Sequence, residues 1–490
     1  MRKQSLKTEF KKIFIAIFIT LTFTNVSFGQ TKASQIDKLM NLYSDYGMFN
    51  GSVLVSEGGK VIYKKGFGMA NMEWNIPNAS DTKHRLGSVT KQFTAMLILQ
   101  MVNQGKLKLD DPIITYLPNY PKTNGNKINI HHLLTHTSGI PNFTSFPKFV
   151  KDISKNSYTP DEFVKIFADS TLQFTPGKEF SYSNSGYFLL GLIIEKVSGK
   201  SYEQNLKENI FVPLKMNNTG YDNHGTIIKK RASGYEKSEN KYSNADYADM
   251  SVPYAAGSLY STVEDLYLWD QALYTEQILP SKYKDLLFKS HIAAGPGHSG
   301  YGWFIVEATN GDEKEKLTII EHGGGINGFN TLISRVPADK NLILLLNNTG
   351  QTVLNEISQS IRNILYNKPY KMPRKSAANA LLDVISEKGI VAGQEKYKEL
   401  KDDKIYAINE AEMNSVGYHF LQTGKVNEAI TVFKINVEVF PKSGNAYDSL
   451  GEAYLKSGNK DLAITNYTKS IELDPKNENG KKVLKDISVQ

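Results

Sequence analysis

The sequence predicts an α+β domain followed by an all-α module. The first, over residues 30–366, is an antiparallel sheet with flanking helices and a helical subdomain. The second, over residues 377–490, is an array of paired helices. Strand-like segments lie at both ends of the first region with helices between them, which implies a sheet completed by distant pieces of chain. A 34-residue self-similarity near the C-terminus implies stacked helical repeats. With 490 residues, 40% of them hydrophobic, the chain exceeds what one core ordinarily serves.

Residues 1–29 read as a cleavable export leader. Arg2, Lys3, Lys7, Lys11 and Lys12 form a basic start, and the apolar run at 13–23 is too short to span a bilayer comfortably. Ser27 and Gly29 supply small residues before a cleavage point at Gln30. The expectation is an exported protein, periplasmic or secreted, without stable membrane insertion after cleavage; an uncleaved anchor is the alternative. The chain has no cysteine, so lipid anchoring through a cysteine and disulfides are both excluded. The net charge of +8 owes five basic residues and one acid, Glu9, to the leader, which leaves +4. The basic balance is therefore largely a targeting feature, and no basic stripe points to nucleic acid.

Beyond the leader, residues 33–46 read as an amphipathic helix, and 52–56 with 60–66 as a hairpin around Glu57-Gly58-Gly59. Helical periodicity runs over 88–104, with Leu97, Ile98 and Met101 among its apolar positions and Gly105 as its stop. A second apolar helix covers 187–197. Strands are expected near 301–307, 317–321, 328–336 and 341–347, then a closing helix at 351–366. Pro369 and Pro373, among Lys368, Lys371, Arg374 and Lys375, mark residues 367–376 as a linker.

In the C-terminal region Gly417, Gly424, Ala429, Phe433 and Pro441 recur as Gly451, Gly458, Ala463, Tyr467 and Pro475, each shifted by 34. This is the tetratricopeptide period, in which small residues let two helices approach and aromatics pack between them. Two repeats span 410–443 and 444–477. Residues 377–402 read as a degenerate third helical pair, and 481–487 as a capping helix. So short an array is near the minimum for stability, so the module is expected to dock on the rest of the chain, on itself or on a protein partner.

Ser88-Val89-Thr90-Lys91 carries the chemistry. Positions i and i+3 share a helix face, so the Lys91 amine can reach the Ser88 hydroxyl, and a serine is a poor nucleophile until a base takes its proton. Ser-x-x-Lys also occurs at Ser80, Ser145, Ser238, Ser281 and Ser457, but only Ser88 follows a turn-permitting Gly87 and opens a buried helix. The free N–H groups of that first turn can stabilise an oxyanion. Two further motifs follow in order. Tyr182-Ser183-Asn184 lies in a polar loop opening onto the second apolar helix, and His322-Gly323-Gly324-Gly325 joins two strands.

With nucleophile and lysine, then tyrosine and asparagine, then a basic residue and glycines on a strand edge, the chain resembles the penicillin-recognising serine hydrolases. These are class C beta-lactamases, D-alanyl-D-alanine carboxypeptidases and related esterases and D-aminopeptidases. The segments Leu133-Leu134-Thr135-His136-Thr137-Ser138-Gly139, Ala256-Gly257-Ser258-Leu259-Tyr260-Ser261-Thr262 and Tyr301-Gly302-Trp303 are similar to the same family. The resemblance covers about residues 33–366. It implies a beta-lactamase/DD-peptidase-like fold, catalysis by Ser88, Lys91 and Tyr182, and substrate binding by Asn184, His322, Gly324 and Gly325. The oxyanion donors would be the N–H groups of Ser88 and Gly325.

Free lysine and tyrosine have pKa values near ~10.4 and ~10, too high for an efficient base at neutral pH. Together in a partly desolvated pocket, either Tyr182 becomes phenolate beside an ammonium, or Lys91 loses its proton beside a neutral tyrosine. The residues alone leave both open. Lysine is usual in this family where His322 stands, and histidine near pH 7 is mostly neutral. That departure favours a D-alanyl peptide, a D-amino-acid amide or a short ester over efficient beta-lactam turnover.

The sequence has no Gly-x-Ser-x-Gly elbow and no Gly-x-x-x-x-Gly-Lys-Ser/Thr loop. His132 and His136 are four apart, but Leu133 stands where a zincin carries its glutamate. No metal or cofactor is expected, and His136 reads as part of a short structural turn. A catalytically idle sensor or scaffold acting through its repeats, and a transpeptidase, are the alternatives to hydrolysis.

Overall fold

A computed structural model describes residues 31–238, 241–309, 316–350, 352 and 354–488, so the leader expectation lies outside the described residues. Helix α1 (Lys32–Asp45) begins at Thr31, whose hydroxyl accepts from Ser34 N. Strands β1 (Gly51–Glu57) and β2 (Lys60–Phe67) form the expected hairpin. The buried helices α2 (Lys91–Asn103) and α3 (Asn184–Ser198) follow. Six more strands complete the main sheet: β3 (Ile292–Ala294), β4 (Gly297–Ser299), β5 (Phe304–Thr309), β6 (Lys316–Ile326), β7 (Phe329–Val336) and β8 (Asn341–Asn347). Helix α4 (Leu354–Leu365) closes the domain.

The sheet runs β3-β4-β5-β6-β7-β8-β1-β2. Its adjacent pairs are antiparallel, and β1 lies beside β8 with Leu54 opposite Leu344. Distant segments thus close one sheet. The run Leu342–Leu346 is apolar at every position because both faces are covered. Leu342, Leu344 and Leu346 join the core around Phe93, Leu97 and Ile193, while Ile343 and Leu345 pack with Leu39, Ile357 and Ile361 of α1 and α4.

Two features depart from the sequence reading. Strands β3 and β4 precede the first strand expected in this region, near 301–307; Gly295, at φ +61°, turns them into a short hairpin. Strand β6 continues through the glycines to Ile326, because Gly323, Gly324 and Gly325 pair with Leu332, Thr331 and Asn330 of β7.

The C-terminal region forms helices α5 (Ala377–Leu400), α6 (Glu410–Gln422), α7 (Val426–Val439), α8 (Gly444–Lys456), α9 (Lys460–Leu473) and α10 (Glu478–Ser488). Gly389 breaks α5 with φ 82° and ψ 179°, so this stretch is two short helices, the degenerate pair expected. The repeat glycines explain the spacing of the array. A Cβ on Gly417 would strike the Phe433 ring, and one on Gly451 would lie 3.1 Å from that of Tyr467. Each glycine admits an aromatic from its partner helix. A cleft of about 1090 Å³ separates this module from the sheet domain, with Tyr46 and Lys237 on one wall and Asn379 and Glu412 on the other. Lys375 bridges its edge, its amine 5.1 Å from the Tyr46 ring centroid. Among the described residues no helix is long and apolar enough to cross a membrane.

Gly324 fixes where β6 meets the chain before α2. A Cβ there would collide with the Leu86 carbonyl oxygen and sit 2.5 Å from Thr331 Oγ1, which itself donates to Leu86 O at 2.7 Å. Gly323 points the other way, where a Cβ would meet only Thr331 O at 3.7 Å. Gly324→Ala is therefore expected to destabilise by about 1–3 kcal/mol through overpacking, and Gly323→Ala by less than about 0.5 kcal/mol. Urea unfolding followed by tryptophan fluorescence measures both; equal midpoints for the two variants would contradict this packing.

Candidate active site

Ser88 sits in a 3₁₀ turn, Gly87–Thr90, immediately before α2. Gly87 has φ +53°, and a Cβ on it would lie 2.8 Å from Gly325 N, so only glycine lets the turn approach the strand this closely. Thr90 Oγ1 accepts from Leu259 N at 3.2 Å, tying the turn to the Ala256-Gly257-Ser258-Leu259 segment. Gly302, at φ +74°, packs against the Lys91 carbonyl, where a Cβ would be 2.7 Å away. The Tyr301-Gly302-Trp303 segment thus braces the start of α2 from behind.

Lys91 is fully buried. Its Nζ donates to Asn184 Oδ1 at 2.8 Å and to Ala256 O at 2.8 Å, and lies 3.0 Å from Ser88 Oγ. The first two partners can only accept, so two amine hydrogens are committed to them and the third position on nitrogen faces the serine hydroxyl. Burial holds the amine well below its ordinary pKa.

Tyr182 lies beside this pair, its ring centroid 4.9 Å from Lys91 Nζ. Burial raises its phenol above the ordinary value, and hydrogen bonding with Ser88 offsets part of that. The loop then enters α3 through Ser183, whose hydroxyl accepts from Gly186 N and donates to Ile140 O at 3.0 Å. Asn184 occupies the first turn. Its Nδ2 and backbone N–H both donate to Asn142 Oδ1 at 3.2 Å, which turns Oδ1 toward Lys91.

The third wall is strand β6. Pairing with β5 ends at Glu321 opposite Phe304, so residues beyond it are paired only with β7 and present a free edge to the Ser88 turn. Gly325 is exposed, and a Cβ on it would touch nothing within 4 Å. Gly324 is buried against Leu86, behind that edge. His322 is 3% exposed, its ring 5.1 Å from that of Phe304 and 6.2 Å from that of Tyr182. Its Nδ1 lies 2.6 Å from Gly323 O; since a carbonyl only accepts, Nδ1 carries the proton. Burial, aided by Lys91, lowers its pKa to about 3. His322 is therefore a neutral imidazole at neutral pH.

The structure brings Ser88, Lys91, Tyr182, Asn184, His322, Gly324 and Gly325 into one neighbourhood, with His322 and Gly324 buried and Gly325 exposed. Three contributors go beyond the residues read from sequence. The Ala256 carbonyl orients Lys91, Asn142 orients Asn184, and His136 stacks on Tyr182 with ring centroids 4.4 Å apart. A main-chain carbonyl carries no side-chain signal, although its segment was visible in the sequence. Among the described residues no group of three or more histidine or acidic side chains is placed to hold a metal ion.

Comparison with known proteins identifies the family. A beta-lactamase family model matches residues 33–368, and a tetratricopeptide repeat model matches residues 444–477. Penicillin-binding protein 4* of Bacillus subtilis is 28% identical over 84% of this chain and 91% of its own. Protein flp of Staphylococcus aureus is 31% identical over 68% of this chain and 66% of its own. Among solved structures, the octameric penicillin-binding protein homologue from Pyrococcus abyssi superposes with a TM-score of 0.61, at 29% identity over 72% of this chain and 81% of that one. The D-amino acid amidase from Ochrobactrum anthropi gives 0.59, at 27% identity over 68% and 99%. A Ser-x-x-Lys turn facing a glycine-lined strand edge, on this sheet and under this match, places the chain in the beta-lactamase family of serine hydrolases, with tetratricopeptide repeats at its C-terminal end.

Proposed function

We propose that this protein is an exported serine acyl-hydrolase that cleaves an amide, peptide or ester through an acyl-enzyme on Ser88. The observation that carries the reading is the fully buried Lys91 amine, 3.0 Å from Ser88 Oγ. Burial, with no carboxylate paired to it among the described residues, disfavours the ammonium, so the neutral amine is the base and Tyr182 remains a phenol.

In the first half-reaction Lys91 takes the Ser88 proton as Oγ bonds to the substrate carbonyl carbon. The N–H groups of Ser88 and Gly325 face the developing oxyanion. Collapse breaks the bond to the leaving amine or alcohol, which receives its proton through Tyr182 and Lys91. In the second half-reaction water gives a proton to the same pair, attacks the acyl carbon and releases the acid, and Ser88 Oγ regains its proton. Asn184 holds Lys91 in place and borders the substrate's path.

His322 bears on substrate choice. A neutral, buried imidazole offers no cation to a substrate carboxylate. This supports a D-alanyl peptide, a D-amino-acid amide or a short ester over efficient beta-lactam turnover, and the similarity to a D-amino acid amidase points the same way. Export rests on the leader composition, and a protein partner on the repeat module.

A fluorophosphonate and a fluorescent penicillin should label the protein at Ser88, and Ser88→Ala should abolish labelling and reduce turnover at least ~10³-fold. Tyr182→Phe should be milder, about 10²-fold. A screen of D-alanyl dipeptides, D-amino-acid amides, short esters and nitrocefin should find turnover among the first three groups. Normal turnover by Ser88→Ala sinks the assignment of nucleophile and leaves the idle-scaffold reading; fast cephalosporin hydrolysis with none of the others sinks the substrate preference.

The pH dependence follows from the same burial. Activity requires the free amine of Lys91, so kcat/KM rises with pH through its lowered pKa and levels off well below the range of a free lysine. His322, with a pKa of about 3, adds no limb between pH 6 and 8. A profile still climbing toward pH 10 would place the ammonium in the resting enzyme and contradict this.

A further inference from the structure

His136 lies in the Leu133–Gly139 segment, and its side chain is turned toward the Tyr182 loop. Three contacts converge on one residue. Ser181 N donates to the His136 carbonyl oxygen at 2.9 Å, and Ser183 N donates to His136 Nδ1 at 3.1 Å. Between those two anchors the imidazole stacks on the Tyr182 ring, with centroids 4.4 Å apart and planes 27° apart. The residues on either side of Tyr182 are thus fixed by the main chain and the side chain of the same histidine.

The backbone of His136 is held in an unusual state to do this. Its φ is +59°, in the left-handed region that non-glycine residues seldom occupy. An ordinary structural turn needs no histidine there, since glycine or asparagine adopts that conformation more easily. What histidine adds is a flat ring to stack and an acceptor nitrogen at a fixed distance from the backbone. His136 is 3% exposed, so neither contact competes much with water.

We infer that His136 is the positioning residue of the site: it sets the place of Tyr182 beside Ser88 and Lys91 without touching the substrate. This rests on the serine-hydrolase reading above. The arrangement also requires a neutral imidazole, because a protonated Nδ1 could not accept from Ser183. Burial, Lys91 and His322 all hold the ring well below its ordinary pKa, and the other titratable groups against it, Tyr182 and Tyr187, are neutral phenols. A misplacement of about 1 Å in a proton-transfer group costs on the order of 10²-fold in rate, so the clamp belongs to the chemical step rather than to binding.

Two substitutions in the full-length protein separate positioning from mere support. His136→Phe keeps a ring to stack but loses the acceptor. His136→Asn keeps an acceptor oxygen and tolerates left-handed backbone but loses the ring. For a turned-over ester or amide, His136→Phe is expected to lower kcat at least about tenfold with KM changed less than twofold. His136→Asn, which keeps the Ser183 contact but not the stack, should retain more kcat than His136→Phe and fall short of the unsubstituted enzyme. Both variants should still label at Ser88 with the fluorophosphonate. The inference is overturned if kcat in His136→Phe stays within twofold of the unsubstituted protein. It is also overturned if both variants lose the same activity in step with a lower Tm, since that marks a purely structural role. Either result leaves Ser88 as nucleophile in place, whereas full turnover by Ser88→Ala overturns that reading and this one with it.

Discussion

A lysine amine buried with no anion beside it among the described residues is the constraint on which the rest of the site depends. Taking an ammonium out of water costs several kcal/mol unless a counter-charge or a full set of hydrogen bonds compensates. Lys91 has two neutral acceptors, Asn184 Oδ1 and Ala256 O, and a serine hydroxyl. That environment suits an amine with two hydrogens and one lone pair better than a cation. The lone pair then has a single direction left, toward Ser88. Histidines 136 and 322 fit the same constraint, since each stays neutral beside the lysine.

Holding that environment together requires segments far apart in the chain. Asn184 and Ala256 come from separate stretches, and the glycine edge arrives only at the end of β6. The sheet supplies the rigidity, because β1 is zipped against β8 and β6 against β7 over many residues. Where β5 pairing stops at Glu321, β6 is left with an open edge. An unpaired strand edge is ordinarily a liability for association. Here it lies against the Gly87–Thr90 turn that carries Ser88, in the position where backbone donors are useful to a carbonyl substrate.

Much of this was legible in the residues. Ser88 and Lys91 are one helical turn apart, so their meeting is local geometry. The 34-residue recurrence was equally readable, because Gly417 and Gly451 exist to admit Phe433 and Tyr467. Tyr182, Asn184 and the glycine strand came through resemblance, and their proximity to Ser88 is a tertiary fact that spacing cannot give. What stayed hidden depends on backbone groups or on contacts between loops. The Ala256 carbonyl is invisible in a side-chain alphabet. His136 reads as a turn residue until the Tyr182 loop is seen lying across it. The strand through Gly323–Gly325 was underestimated because glycine signals a break, whereas pairing with β7 extends it.

The most direct test is the protonation state of Lys91 itself. Nitrogen-15 NMR of the lysine side chains, with Lys91 assigned by comparison with Lys91→Arg, reads that state without relying on turnover. A neutral-amine signal that converts to ammonium only on acidification well below the range of a free lysine agrees with a buried base waiting on Ser88. An ammonium signal persisting from pH 7 up to about 10, the range of a free lysine, would show that burial does not discharge the amine, and the account of how Ser88 is activated would fall with it.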